Sequence, residues 1–413
     1  MATPDPTETE AAFALARGEP LTALGLVGRG ESSSARVLRG IAYAQLGDLD
    51  LAIRSLRDAR DGADDPRTRA RANAALAEIA STTDEPKAAE RAARKAVLEL
   101  EELGDSANAA RMRLVLARTE VLVGRLEDAA RTVDAVVARS VPDDVHAVAM
   151  LARAEIGIRS LRAEDARRTL GRVRLILASS PHALLERAVL SLERELSRPV
   201  VRIREGGVEY DGDLFAIEAV CRGDHLLVDG CRRRVLAGRA DVPLVRRPVL
   251  FDLLASLARA WPDAVPRDDL AARAFDVRRV NGSHRARLRV EIGRLRKVLG
   301  ELGAEPVATK DGFALVSRRP VALILAPTDD TARLAMLLGD GVWWSAQSLA
   351  EHAGVSKSTA LRALRSLVEN GRAVTSGSGS ARRYARPGDP LASRLVLLGL
   401  LPTGRDPDAP DTK

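Results

Sequence analysis

Ser283-His-Arg-Ala-Arg-Leu-Arg-Val-Glu-Ile-Gly-Arg-Leu-Arg-Lys-Val-Leu-Gly300, continuing as Glu301-Leu-Gly-Ala-Glu-Pro-Val-Ala-Thr-Lys-Asp-Gly-Phe-Ala-Leu-Val316, carries the most informative pattern in the chain. Leu288, Ile292, Leu295 and Leu299 recur at helical spacing, which stacks them on one buried side of a 3.6-residue helix. Ala286, Val290, Gly293 and Lys297 run down the opposite side, with Arg287 and Arg294 on one shoulder and Arg289 and Arg296 on the other. Small residues along the middle let the backbone approach a groove, and arginines beside them reach phosphates or the O6 and N7 edge of guanine. Asn281 or Ser283 is suited to cap the start and Gly300 the stop. Between Val277 and Lys297 stand eight Arg or Lys against the single acid Glu291, a local net charge of +7. A solvated helix face is the plain alternative.

Downstream, Val307, Thr309, Asp311-Gly312, Phe313 and Leu315 alternate about an Asp-Gly turn, a hairpin pattern, with Lys310 at its tip. Upstream, Phe251–Leu257 and Asp268–Phe275 read as two short helices. Before them, Leu226–Val228, Arg234–Leu236 and Val242–Leu244 read as strands split by Asp229-Gly230 and Gly238. The order resembles the OmpR-type winged-helix DNA-binding domain, most specifically in Ile292-Gly-Arg-Leu-Arg-Lys and Thr309-Lys-Asp-Gly-Phe-Ala-Leu. The resemblance covers about a quarter of the chain. It implies that Arg285, Arg287, Arg289, Arg294, Arg296, Lys297 and Lys310 face double-stranded DNA, and that the loop from Phe275 to Ser283 is placed to touch RNA polymerase. No phosphoacceptor receiver domain is read ahead of it, so control by aspartyl phosphorylation does not carry over.

A second reader follows. From Trp344 the chain has helix-turn-helix spacing: Ser345 as N-cap, Leu349, Ala350 and Ala353 inward, Gly354 in the turn, Ser356 capping the next helix. There Leu361, Leu364 and Val368 are expected to be buried, leaving Thr359, Arg362 and Ser366 in an outward line beside Lys357, Ser358 and Arg365. Arg372–Tyr384 alternates around a Gly-Ser tip and includes Arg382-Arg383. With the helix at Thr331–Leu338, this resembles winged helix-turn-helix domains of the MarR-like and IclR-like sort, many of which pair with protein instead of DNA.

The N-terminal half repeats. Gly47–Ala52, Asp84–Ala89, Gly124–Ala129 and Leu161–Ala166 align at successive spacings of 37, 40 and 37 residues, a period that means stacked units. Gly40, Tyr43, Leu56 and Ala59 stand at tetratricopeptide-like offsets, and Gly18 with Ala23 marks a truncated unit. The resemblance covers about 10 to 180, and a helix from Pro181 to Leu196 caps the stack. Such repeats dock a protein or peptide partner or self-associate into a homodimer. Arg36, Arg39, Arg113 and Arg118 are candidates to line the groove.

The expected fold is therefore mainly α, a helical-repeat solenoid (1–196) followed by two winged-helix α+β domains (197–319 and 320–402) and a disordered tail (403–413). The chain has 413 residues, 46% of them hydrophobic and only 3% aromatic, which suits helices and several small cores. The formal charge of +7 is uneven. Residues 201–390 hold 31 Lys or Arg and 23 Asp or Glu, a balance of +8, and the rest of the chain is near neutral, as a polyanion partner for the second half requires.

Cys221, His225 and Cys231 lie near one another in sequence but read as structural, and neither a disulfide framework nor a paired metal motif is present. No phosphate-binding loop, zinc-protease or nucleophile-elbow motif appears, and the histidines (146, 182, 225, 284, 352) are scattered, so neither enzyme nor cofactor is expected. His284 is a candidate phosphate contact. The N-terminus lacks signal-peptide character and no apolar run reaches the roughly 20 residues that span a bilayer. Leu391–Leu401 is read as a helix packing on the last domain or a dimer partner. These features point to a cytoplasmic, nucleoid-associated transcription regulator. The alternatives are an interaction scaffold whose winged helices bind protein, and a nonspecific nucleic-acid-binding protein.

Overall fold

A computed structural model describes residues 5–81, 86–122, 125–179, 181–327, 329–340 and 343–386. The chain divides into two units, one through Glu195 and the other Leu196–Pro387. It is mainly helical, and no helix among the described residues is long and apolar enough to cross a membrane. Leu391–Leu401 and the 403–413 tail lie outside the described residues.

In the first unit the helices are α1 (Pro6–Ala16), α2 (Pro20–Val27), α3 (Ser33–Leu46), α4 (Leu49–Asp61), α5 (Pro66–Ala80), α6 (Pro86–Glu102), α7 (Ser106–Leu122), α8 (Leu126–Val137), α9 (Asp143–Arg159), α10 (Ala163–Ser179) and α11 (Ala183–Ser197). From α1 to α10 each packs on the next, and α1, α3, α5, α7 and α9 also pack on one another in order. The odd-numbered helices therefore form a middle layer, and their sequences reflect it. α9 buries Val145, Ala147, Met150, Leu151, Ala154, Ile156 and Ile158, residues pointing several ways, whereas α4 buries one stripe, Ala52, Leu56 and Ala59, and α8 another, Ala129, Val133 and Val136.

Two of the aligned segments, Gly47–Ala52 and Leu161–Ala166, mark turns from an odd helix to the next even one. Gly47 ends α3 in the left-handed region (φ 89°), and Asp48 starts α4 by accepting from the Leu51 N–H at 3.1 Å. Leu161 takes the equivalent left-handed position after α9 (φ 54°) without glycine's freedom, at a cost of roughly 1 kcal/mol. Asp84, Glu85 and Gly124 of the other two segments lie outside the described residues. Gly40 is required by close packing: a Cβ there would stand 2.5 Å from Leu56 Cγ and 3.3 Å from the Ala52 carbonyl oxygen. Gly40→Ala is expected to lower the stability of this unit by about 1–2 kcal/mol through overpacking, seen as a drop in the urea midpoint. An unshifted midpoint would mean that α3 and α4 are farther apart than described.

A buried polar chain ties the middle layer together. Arg71 of α5 pairs with Asp105 at 2.7 Å, Asn108 of α7 donates to Asp105 at 3.0 Å, and Arg111 reaches Asn108 at 3.2 Å and Asp144 of α9 at 2.6 Å. Arg118 is spent in the same interior, donating to Ser81 Oγ at 2.9 Å. Arg39 donates to the Gly28 carbonyl at 2.9 Å and Arg113 pairs with Glu101. Three of the four arginines expected to line a groove are thus internal ties, and Arg36 alone has no side-chain partner of this kind among the described residues.

Glu78 is 1% exposed and its Oε1 has no hydrogen-bond partner among the described residues. Burial pushes its carboxyl up to about 8, against the attraction of Arg118 and Arg111. Because the folded pKa is raised, the protonated form is favoured in the folded state. Its contribution is complete below the unfolded pKa and is lost as pH rises from about 4.5 to about 8. In a pH series of thermal melts, Glu78→Gln should remove that part of the decline. Parallel wild-type and variant curves across the window would contradict the protonated assignment.

The second unit begins with β1 (Val201–Glu205), β2 (Val208–Gly212) and α12 (Leu214–Arg222), none of which the sequence reading anticipated. Then come β3 (Leu226–Asp229), β4 (Arg234–Ala237), β5 (Ala240–Pro243), α13 (Pro248–Ala260), β6 (Val265–Pro266), α14 (Arg267–Phe275), α15 (Gly282–Gly300), β7 (Ala304–Ala308), β8 (Gly312–Ser317) and β9 (Val321–Leu325). One sheet has the order β2-β1-β9-β3-β4-β5, with β9 antiparallel to β1 and parallel to β3. A boundary at 320 cuts this sheet, because the residues from Val321 to Ile324 are buried in its middle, so the first module extends through Leu325. A smaller sheet has the order β6-β8-β7. Between these sheets α13, α14 and α15 share a core that includes Val228, Leu254, Leu270, Leu295 and Phe313.

The remaining elements are α16 (Asp330–Leu337), β10 (Trp344–Ser345), α17 (Ala346–Ala353), α18 (Lys357–Glu369), β11 (Val374–Ser376) and β12 (Arg383–Ala385), with a sheet ordered β10-β12-β11. Their core includes Leu334, Leu337, Leu349, Leu364, Leu367 and Tyr384. Gly354 ends α17 at φ 69° as expected of a tight turn.

Candidate nucleic-acid interface

α15 begins where Asn281 accepts from the His284 N–H at 3.1 Å while the Asn281 N–H reaches His284 Nδ1 at 3.3 Å. His284 is therefore a capping residue, and the phosphate role expected for it is not needed to account for its place. Leu288, Ile292, Leu295 and Leu299 are all at most 2% exposed, so the phase read from the sequence is the observed one. The helix stops at Gly300 as expected, though the glycine does not itself make the left-handed cap. Gly300 is the last helical residue, and the left-handed turn falls at Gly303 (φ 72°).

The outward strip Ala286, Val290 and Lys297 is exposed, with Gly293 between them. Val290 is 55% exposed, and a Cβ at Gly293 would meet nothing within 4 Å. No contact among the described residues thus calls for glycine at a helix-interior position where alanine is better by about 1 kcal/mol. The arginines around the strip differ from one another in a way the sequence does not reveal. Arg285 makes a bidentate pair with Asp268 of α14 (2.8 and 2.5 Å), holding that carboxyl below its ordinary range and raising its own pKa. Arg287 lies over the Phe275 ring at 4.5 Å, Arg294 reaches Glu291 at 2.8 Å, and Arg296 donates to the Pro306 carbonyl at 2.9 Å near Glu305. Arg289 and Lys297 are exposed and their side chains have no hydrogen bond or ion pair among the described residues, and the same holds for Lys310 at the β7–β8 turn. On α15 and the hairpin tip these three have no side-chain hydrogen bond, ion pair or ring contact among the described residues.

The hairpin is pinned at its tip. Thr309 Oγ1 accepts from the Gly312 N–H at 3.1 Å, and Arg267 donates to the Thr309 carbonyl at 3.1 Å. Gly312 runs against β6, where an added Cβ would lie 1.9 Å from the Val265 carbonyl oxygen.

In α18 the expected face is corrected. Ala360, Ala363, Leu364 and Leu367 are the buried residues, while Leu361 and Val368 are 38% and 36% exposed. Four apolar residues of different size lie on adjacent phases of this helix, and the alanines take the core because α16 and α17 pack close to it. The outward line is Ser358, Arg362 and Arg365, and Thr359 and Ser366 are half-buried at its edge. Thr359 belongs to the cap, its N–H donating to Ser356 Oγ at 3.1 Å, and Ser366 Oγ accepts from Asn370 at 3.4 Å. Lys357, Arg362, Arg365 and Arg382 have no side-chain partner among the described residues, whereas Arg383 donates to the Ser380 and Arg382 carbonyls.

Elsewhere, His225 pairs with Glu205 at 2.7 Å, and Cys231 is buried with its thiol pushed up to about 12. Among the described residues no group of three His, Cys, Asp or Glu is placed to hold a metal ion. Compared with protein-family models, with curated proteins and with solved structures, the chain matches none.

Proposed function

We propose that the chain is a DNA-binding transcription regulator in which α13–α15 and the β7–β8 hairpin form an OmpR-type winged helix, with α15 entering the major groove and Lys310 reaching the flanking backbone. The observation that carries this reading is the exposed strip of α15, where a Cβ at Gly293 would meet nothing within 4 Å and Arg289 and Lys297, whose side chains have no partner among the described residues, stand beside it. A backbone brought close by a small residue, between cations with no internal partner, suits a groove walled by phosphates. α16–α18 with β10–β12 form a second winged helix, and the α1–α11 stack is a tetratricopeptide-like solenoid that docks a partner protein or a second copy. The regulator acts in the cytoplasm on the nucleoid.

A protein-binding role for the second winged helix is favoured by one observation: Leu361 and Val368 expose an apolar shoulder on α18 beside its cations. Genome-wide mapping of bound DNA, followed by footprinting against excess random duplex, tests the regulator reading. A protected segment centred on mapped sites is the expected result. Retention without any preferred segment would instead favour a nonspecific nucleic-acid-binding protein.

A further inference from the structure

Beside α15, on the shoulder that carries Arg294, opens a cleft of about 730 Å³ whose far wall is the β5–α13 turn and the first turn of α13. Four cations line it, Arg246, Arg247, Arg294 and Lys297, with two carboxylates, Glu291 and Glu301. Glu291 is already engaged by Arg294 at 2.8 Å. Arg246, Arg247 and Lys297 have no ion pair or side-chain hydrogen bond among the described residues. The concave wall therefore holds three unspent positive charges around a space open to a ligand.

The two arginines also stand where the fold alone disfavours them. Arg247 is the N-cap of α13 and provides no side-chain cap, so the first-turn N–H groups of Val249 and Leu250 are left without one. Positive charge at the positive end of a helix dipole is unfavourable. An oxyanion in the cleft reverses that sign, since the arginines, Lys297 and the uncapped N–H groups then share one partner. Lys297 belongs to both surfaces, lining the cleft and ending the outward strip of α15, so the two are continuous.

We infer that this cleft seats backbone phosphates of the duplex whose groove α15 enters, with Arg246 and Arg247 as the phosphate ligands. The inference rests on the DNA reading above. It assigns to one DNA strand a grip on α13 that carries no base information and sets the orientation of α15 in the groove.

The test is a salt titration of full-length protein on a random-sequence duplex, comparing wild type with Arg246→Gln/Arg247→Gln and with Arg246→Lys/Arg247→Lys. The glutamine pair is expected to reduce the slope of log K against log salt by about 1.8, or 0.9 per phosphate, and the lysine pair to restore it. The melting temperature of the glutamine pair should not fall, because cations are being removed from a helix N-terminus. Wild-type binding with an unchanged slope in the glutamine pair overturns the inference and leaves the DNA reading intact. A parallel arm titrates pyrophosphate against thermal stability. If wild type binds no duplex but is stabilised by pyrophosphate, and the glutamine pair is not, the cleft holds a free phosphorylated molecule and the backbone assignment is wrong. If wild type responds to neither, the cleft assignment and the DNA reading fail together.

Discussion

Arg289→Glu/Lys297→Glu is expected to weaken duplex binding on the order of 100-fold at moderate salt, at about 1–3 kcal/mol for each side chain withdrawn from the groove. Both side chains are exposed on α15, flank the uncrowded Gly293, and have no acid among the described residues to satisfy them. Reversing their charge thus removes attraction to phosphate and adds repulsion without breaking an internal bond. Arg285 provides the internal comparison. It is held bidentately by Asp268, so to reach DNA it must first leave that carboxylate, and Arg285→Ala should cost far less. Arg296 is committed in the same manner to Pro306 and Glu305. Fluorescence anisotropy on labelled duplex, with circular dichroism to verify folding, separates the two classes. Equal losses for Arg285→Ala and the double reversal would show that pairing within the protein does not set the order.

Gly312→Ala is expected to destabilise the second unit by about 3 kcal/mol. Its added Cβ would stand 1.9 Å from the Val265 carbonyl oxygen, 2.6 Å from that carbonyl carbon and 3.0 Å from Pro266 Cα. All three are backbone atoms, so no rotamer change relieves the clash, and the strand pairing Val265 with Phe313 must separate. Phe313 is 7% exposed in the core shared with α13–α15, so the damage reaches the helix proposed to enter DNA. Calorimetry should show one transition moving down by several degrees while the transition of the helical unit stays in place. Coincident wild-type and variant traces would contradict the close β6–β8 approach.

What the sequence made legible follows from how local each signal is. The face of α15 is readable because Leu288, Ile292, Leu295 and Leu299 are large, apolar and in phase, with arginines on the other side. The phase of α18 is not, since Leu361 and Val368 compete with Ala360 and Ala363, and residue size misleads where helices approach closely. The Asp311-Gly312 turn was visible from two residues, yet Gly312 is further constrained by Val265, nearly fifty positions earlier, an approach that no local pattern encodes. β1 is disguised as surface by Arg202, Arg204 and Glu205; its pairing with β2 across Gly206-Gly207 is local, but its other partner, β9, lies more than a hundred residues away. The same distance effect hid which arginines are spent. Asp268, Phe275 and Glu305, which occupy Arg285, Arg287 and Arg296, lie outside α15. In the first repeat the glycine that ends α3 and the aspartate that starts α4 sit side by side, so that junction is a local signal, whereas Leu161-Arg162 makes the corresponding turn after α9 with neither residue.

The most direct test of the central claim is the salt dependence of duplex binding by the unmodified chain. With about six phosphates engaged across α15, the hairpin and the cleft, log K should fall against log salt with a slope near −5. Absence of duplex retention at low salt, where phosphate contacts are strongest, would contradict the claim that this chain binds DNA.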